Sequence, residues 1–167
     1  MDRCAGCGFE YHLDDAGHAV LRIVAGSDAL AGLLDGAGDV RTRRAPETWS
    51  PLEYGCHVRD VLLVQRERVL TARLIDTPSF DPMGREERVG FDGYADQAPT
   101  AVARQLRDAA AMFANVLARL APKDWDRTVM YNYPALFERS LRWVAVHTVH
   151  EVQHHLLDVR TQLDERA

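Results

Sequence analysis

Apolar residues return every three or four positions through four separate stretches of this chain, and turn-rich segments divide those stretches from one another. No other feature constrains the fold as much, because a 3.6-residue period gives each helix one apolar stripe, and such stripes must be buried against each other. The first stretch opens at Asp14-Asp15, which offers an N-cap, and runs to about Leu34, where Asp35 to Asp39 supplies a turn; Gly26 weakens it. The second starts with Ser50, Pro51 and Glu53, which are an N-cap, a proline at the first helical position and a capping-box glutamate, and it continues to about Ile75. The third runs from Asp96–Pro99 to Pro122 through Val102, Leu106, Phe113 and Leu117, and the fourth from about Glu138 to Leu163.

Between them lie a long connection from Asp76 to Ala98 and an irregular stretch with Trp125, Tyr131, Tyr133 and Pro134. No strand pattern stands out. The expectation is an all-α four-helix bundle with long interhelical connections and a short Cys-x2-Cys head. A chain of 167 residues suits one domain, with the head at 1–13 and the bundle at 14–163.

The formal charge of −5 leaves no basic stripe for nucleic acid. No apolar run approaches the roughly 20 residues that cross a bilayer, and the start Met1-Asp2-Arg3-Cys4 lacks the apolar segment of a signal peptide. A cytoplasmic protein acting on a small molecule is expected, with no membrane partner; a homodimer is left open. Lys123 is the only lysine, and the abundance of Arg, Ala, Asp, Val and Leu suggests a G+C-rich, actinobacterial genome. Three cysteines, an odd number, favour metal or thiol chemistry over a disulfide framework.

Four of the seven histidines, His147, His150, His154 and His155, fall within nine residues of the last helix, beside Glu151 and Asp158. At about 100° per residue, the stripe of Leu141, Ala145, Val149, Val152, Leu156 and Val159 should face the bundle. Glu151, His155 and Asp158 sit on its shoulder, whereas His147, His150 and His154 lie opposite. On the second helix, Val58, Val61, Leu62, Val69 and Ala72 mark the core side, and His57 lies on its border and looks inward. One histidine facing a Glu-x3-His pair offers three ligands and keeps positions open, the composition of a catalytic zinc site. Asp60 and Asp158 are the candidate catalytic carboxylates, each able to orient an imidazole through its second nitrogen.

These residues resemble the DinB-like superfamily, in particular the branch that includes mycothiol-dependent maleylpyruvate isomerases. The resemblance runs from about Trp49 to Arg160 and rests on Trp49-Ser50, His57 and Glu151-x3-His155-x2-Asp158. It implies a divalent metal, zinc or nickel-like, held by His57, Glu151 and His155, with mycothiol or another low-molecular-weight thiol as cosubstrate. Other DinB-like proteins use His-x3-His on the last helix, and His150-x3-His154 offers that alternative; helical phase favours Glu151 and His155.

Cys4-Ala5-Gly6-Cys7-Gly8 has the form of half a zinc ribbon. His150 and His154 would complete a second, structural zinc site if the head folds across the last helix. Competing readings are a redox-active dithiol, or cysteines joining His57 or Cys56 in one mixed site; Cys56 alone reads as a small packed residue. Tyr131, Tyr133 and Trp143 could line a pocket but read first as packing, and Arg85 and Arg88 as a solvated run that could also bind an acidic substrate.

The leading functional expectation is therefore a metal-dependent thiol transferase or isomerase. A hydrolase using metal-bound water needs the same residues. The alternatives are a non-catalytic metal-binding or metal-sensing bundle, and a structural dimerising bundle with incidental histidines.

Overall fold

The computed structural model describes residues 3–36, 38–133 and 135–164; Met1, Asp2, Ala37, Pro134 and residues 165–167 lie outside it. Its long helices are α1 (Ala19–Asp35), α2 (Pro51–Leu74), α4 (Pro99–Leu117) and α5 (Leu141–Asp164), with a short α3 (Arg85–Phe91) between α2 and α4. The start of α2 follows from its sequence. The Ser50 hydroxyl accepts from the Glu53 amide at 3.2 Å, and the Glu53 carboxylate accepts from the Ser50 amide at 2.7 Å. Arg43 grips the same carboxylate with two guanidinium nitrogens at 2.8 and 2.5 Å.

α1 and α2 each pack against both α4 and α5, and meet one another only lightly, so two helices consecutive in sequence stand diagonally across the bundle. Ile23, Leu30, Leu62, Leu106, Phe113 and Val149 fill the core between them. Gly26 owes its place to a close approach: a Cβ there would lie 2.6 Å from Val152 Cγ1, so α1 meets α5 where no side chain intervenes. The segment Leu13–Asp35 is long and apolar enough by composition to cross a membrane. Here Ala19, Ile23, Leu30 and Leu34 form the inward stripe of a core helix.

Several expectations need correction. Residues Glu138 to Ser140 do not begin the last helix; they belong to β2 (Leu136–Ser140), which pairs antiparallel with β1 (Thr128–Asn132) in the register Thr128↔Ser140, Met130↔Glu138 and Asn132↔Leu136. The first helix begins as a 3-10 segment, Leu13–His18, before α1 proper. The third ends at Leu117, short of Pro122. The 76–98 connection carries α3 and runs alongside β1, the Phe80 amide donating to Met130 O at 3.2 Å and the Met130 amide to Pro78 O at 2.9 Å. That pairing brings residues 82–87 over the middle of α2 and α5.

The largest correction concerns α5. His147 and His150, placed opposite the core stripe by phase, are 4% and 7% exposed. The face is a second packed surface: the head lays Phe9 and Tyr11 on His150, with ring centroids 5.3 and 5.4 Å apart, and Tyr131 stands edge-on to His147.

Candidate metal centres

α2 and α5 bring His57, Glu151 and His155 together, so that one donor atom from each lies within 4.8 Å of the other two. His57 Nε2 is 3.9 Å from Glu151 Oε2, and His155 Nε2 is 3.7 Å from the same oxygen. Both separations are too long for hydrogen bonds. They are a few tenths wider than the roughly 3.4 Å between two donors held at zinc bond lengths around a tetrahedron. His57 is 1% exposed, and neither of its ring nitrogens has a hydrogen-bond partner among the described residues. A buried imidazole with two orphaned nitrogens calls for a missing partner, and the donor set beside it fits a divalent cation.

The remaining ligand atoms are held from behind. Asp158 Oδ2 accepts from His155 Nδ1 at 2.9 Å, leaving Nε2 turned toward Glu151. His150 Nδ1 is 3.1 Å from Glu151 Oε1, leaving Oε2 for the cluster. Burial pushes the His57 imidazole below its usual pKa, so the ring is neutral and able to ligate. Burial alone would raise Glu151, but the imidazoles of His150, His155 and His57 hold its carboxyl well below the usual range. A neutral imidazole and an ionised carboxylate are the protonation states that metal binding requires.

His57 and Glu151 of the cluster line a cavity of about 270 Å³, with Gln65, Arg68, Arg85, Tyr131 and Tyr133 among its other lining residues. Residues Pro82 to Glu87 roof it. Tyr131 and Tyr133 therefore line a pocket rather than serving as packing alone, and Trp143 is the member of the trio that is buried against His147, stacked at 4.5 Å. The Gln65 amide donates to the Tyr131 hydroxyl at 2.6 Å, and the Arg68 guanidinium lies 4.6 Å over the Tyr131 ring. Arg68 went unnoticed in the sequence although its phase was legible: eleven residues beyond His57, it sits about 20° from it around the helix.

Asp60 does not orient a ligand imidazole. Its oxygens are taken by Arg59 Nε at 2.8 Å, the Tyr94 hydroxyl at 2.8 Å and Arg88 at 3.2 Å, and His57 Nδ1 has no hydrogen-bond partner among the described residues. One turn of α2 from His57, the carboxylate is drawn toward this buried arginine-tyrosine network. Arg88 belongs to that network, whereas Arg85 lines the cavity. Cys56 is buried, its thiol facing the Tyr94 carbonyl and Gln97, away from the histidines.

A second cluster lies on the far side of α5. The head folds across the helix and brings Cys4, Cys7, His150 and His154 within 4.8 Å of one another, separate from His57. Both cysteines are free thiols. Cys4 Sγ is 3.6 Å from His154 Nδ1. Although burial would raise it, the Cys7 amide and the neighbouring His150 imidazole bring the Cys4 thiol down to about 6. Overlapping sets, His147-His150-Glu151 and His154-His155-Asp158, arise because these neighbours share one helix.

The sequence model of the DinB superfamily matches residues 23–159, which takes in the bundle and leaves the head outside. Among solved structures, YfiT from Bacillus subtilis superposes with a TM-score of 0.81 over 92% of this chain and 87% of YfiT, at 14% sequence identity. YfiT is described as a probable metal-dependent hydrolase with an unusual four-helix bundle topology. At that identity the likeness establishes the fold. No curated protein matches the sequence.

Proposed function

This chain belongs to the DinB superfamily, and we propose that it is a metal-dependent enzyme in which His57, Glu151 and His155 hold a divalent cation, zinc by donor type, beside a small-molecule cavity. One observation carries the reading: a buried imidazole at the cavity wall, both nitrogens unpartnered among the described residues, grouped with a carboxylate and a second imidazole. Two histidines and one carboxylate leave coordination positions open. A bound cation lowers the pKa of a coordinated thiol or water and so supplies a nucleophile at neutral pH.

The protein's own groups do the rest. Asp158 fixes the tautomer and orientation of His155. His150 does the same for the Glu151 carboxylate. Arg68 and Arg85 give the cavity two cationic side chains, suited to a carboxylate-bearing substrate, and residues 82–87 limit the access of water. No serine, cysteine or lysine is among the described residues that line it, which fits a nucleophile supplied from outside the chain.

A low-molecular-weight thiol is the nucleophile we favour, which makes the protein a thiol-dependent S-transferase or isomerase. The support is the resemblance of Trp49-Ser50, His57 and Glu151-x3-His155-x2-Asp158 to the mycothiol-dependent branch. Water as nucleophile would make it a hydrolase, a reading favoured by the fold likeness to YfiT. The deciding assay supplies zinc-loaded protein with an electrophilic unsaturated acid, with and without mycothiol, and in parallel with ester and amide substrates. Turnover that needs the thiol and disappears in His57→Ala supports the first reading. Thiol-independent ester or amide cleavage supports the second. A protein that binds no metal through His57 and turns over neither class would end both.

A further inference from the structure

We propose that Cys4, Cys7, His150 and His154 form a second, closed metal site of the zinc type, which fastens the head to α5 and fixes the imidazole that holds Glu151. It does not depend on the enzymatic reading of the first cluster. Two thiolates and two imidazoles make a complete tetrahedral set, with no position left for substrate. The Cys4 Sγ to His154 Nδ1 separation of 3.6 Å matches the roughly 3.6 Å expected between sulfur and nitrogen donors at zinc bond lengths. His150 Nδ1 is engaged by Glu151, while its buried Nε2 makes no hydrogen bond of ordinary length among the described residues, so the nitrogen left for the cysteine cluster is the one available to a metal.

The head is shaped for this arrangement. The Cys4 amide donates to Phe9 O at 2.8 Å and the Gly8 amide to Cys4 O at 2.9 Å, closing a tight loop that presents both thiols to one side. Gly6 lets the loop lie close on His154, since a Cβ there would approach His154 Cε1 to 3.0 Å. A redox dithiol would require neither imidazole, and would leave the orphaned His150 nitrogen unexplained.

A consequence for the first site follows from imidazole chemistry. Metal on Nε2 of His150 leaves the ring proton on Nδ1, so the ring donates to Glu151 Oε1 in a fixed tautomer. His154 repeats the pattern more loosely: Nδ1 faces Cys4, and Nε2 lies 3.6 Å from Asp158, the carboxylate that orients His155. His150 is thus a positioning residue for the inner cluster.

The test is metal analysis of untagged, full-length protein, joined to cobalt(II) substitution. Wild type is expected to bind two equivalents, with a sulfur-to-cobalt charge-transfer band in the near ultraviolet. Cys4→Ser/Cys7→Ser should lose one equivalent and the whole band; His57→Ala should lose the other equivalent and keep the band. The affinity of the equivalent retained in Cys4→Ser/Cys7→Ser, measured against a chromophoric chelator, should fall about tenfold. Wild-type cobalt protein without a sulfur band, or a Cys4–Cys7 disulfide forming in place of metal uptake, would overturn the proposal, and the wild-type spectrum decides this even if the double variant fails to fold. Unchanged affinity at the retained site would overturn the positioning role of His150. Failure of the inner site alone would read differently: one equivalent, band present, insensitive to His57→Ala.

Discussion

His150 and Glu151 are adjacent on α5, yet one turns toward a knuckle of chain and the other toward a cavity. The outer cluster gathers four donors, two of them sulfur, from a loop and a helix. The inner one gathers three, none of them sulfur, from two helices of the bundle core, with open space on one side. Saturated coordination serves architecture, and incomplete coordination leaves room for chemistry. On the proposed assignments a single helix would carry both, because a second covering element arrives on its far face.

The sharpest way to break the comparison is to remove a core ligand. His57→Ala should abolish inner metal binding and lower turnover at least about a hundredfold, a ligand costing more than the 10–100-fold typical of its supporting residues; elemental analysis and initial rates measure both, while the melting temperature moves little. Removal of the outer ligands should act mainly on stability, with the smaller loss of inner affinity given above. In Cys4→Ser/Cys7→Ser a loss of about 3 kcal/mol, or roughly 6–12 °C in melting temperature for a chain of this size, is expected by calorimetry. Unchanged melting would mean that the head is not fastened by metal.

Smaller effects sharpen the boundary between the two. Asp158→Asn should weaken inner metal affinity about tenfold by releasing His155 Nδ1, read by chelator competition. Asp60→Asn should leave inner metal content unchanged while costing about 2 kcal/mol of stability, since Arg59 and Tyr94 lose a charged partner. Loss of metal in Asp60→Asn would instead tie that network to the inner site.

What could be foreseen in the sequence depended on how local its cause was. The Ser50–Glu53 capping box is written in four residues and appears as read. The inward turn of His57 and Glu151 followed from helical phase, which survives an error of a few residues in where the last helix begins. The β1–β2 hairpin did not announce itself: Thr128–Asn132 alternates burial over only five residues, and β2 is largely exposed, so neither carries a strand signal longer than noise. The burial of His147 and His150 was hidden for a different reason. A single-stripe reading of α5 assumes one packed face, and the second was created by Phe9 and Tyr11, more than 130 residues away. Asp60 misled because proximity in sequence says nothing of which neighbour a carboxylate prefers; Tyr94 and Arg88 come from the 76–98 connection, whose path has no periodic signature.

The contact between Gly26 and Val152 has a practical corollary for anyone engineering this protein. A glycine in mid-helix invites replacement by alanine, worth about 1 kcal/mol in helix propensity. Here the added methyl would collide with a stiff, branched neighbour 2.6 Å away, at an overpacking cost of about 1–3 kcal/mol. Because Val152 follows Glu151 directly, relief of that collision would shift the carboxylate of the proposed inner site. A routine thermostabilising swap would thus trade activity for nothing.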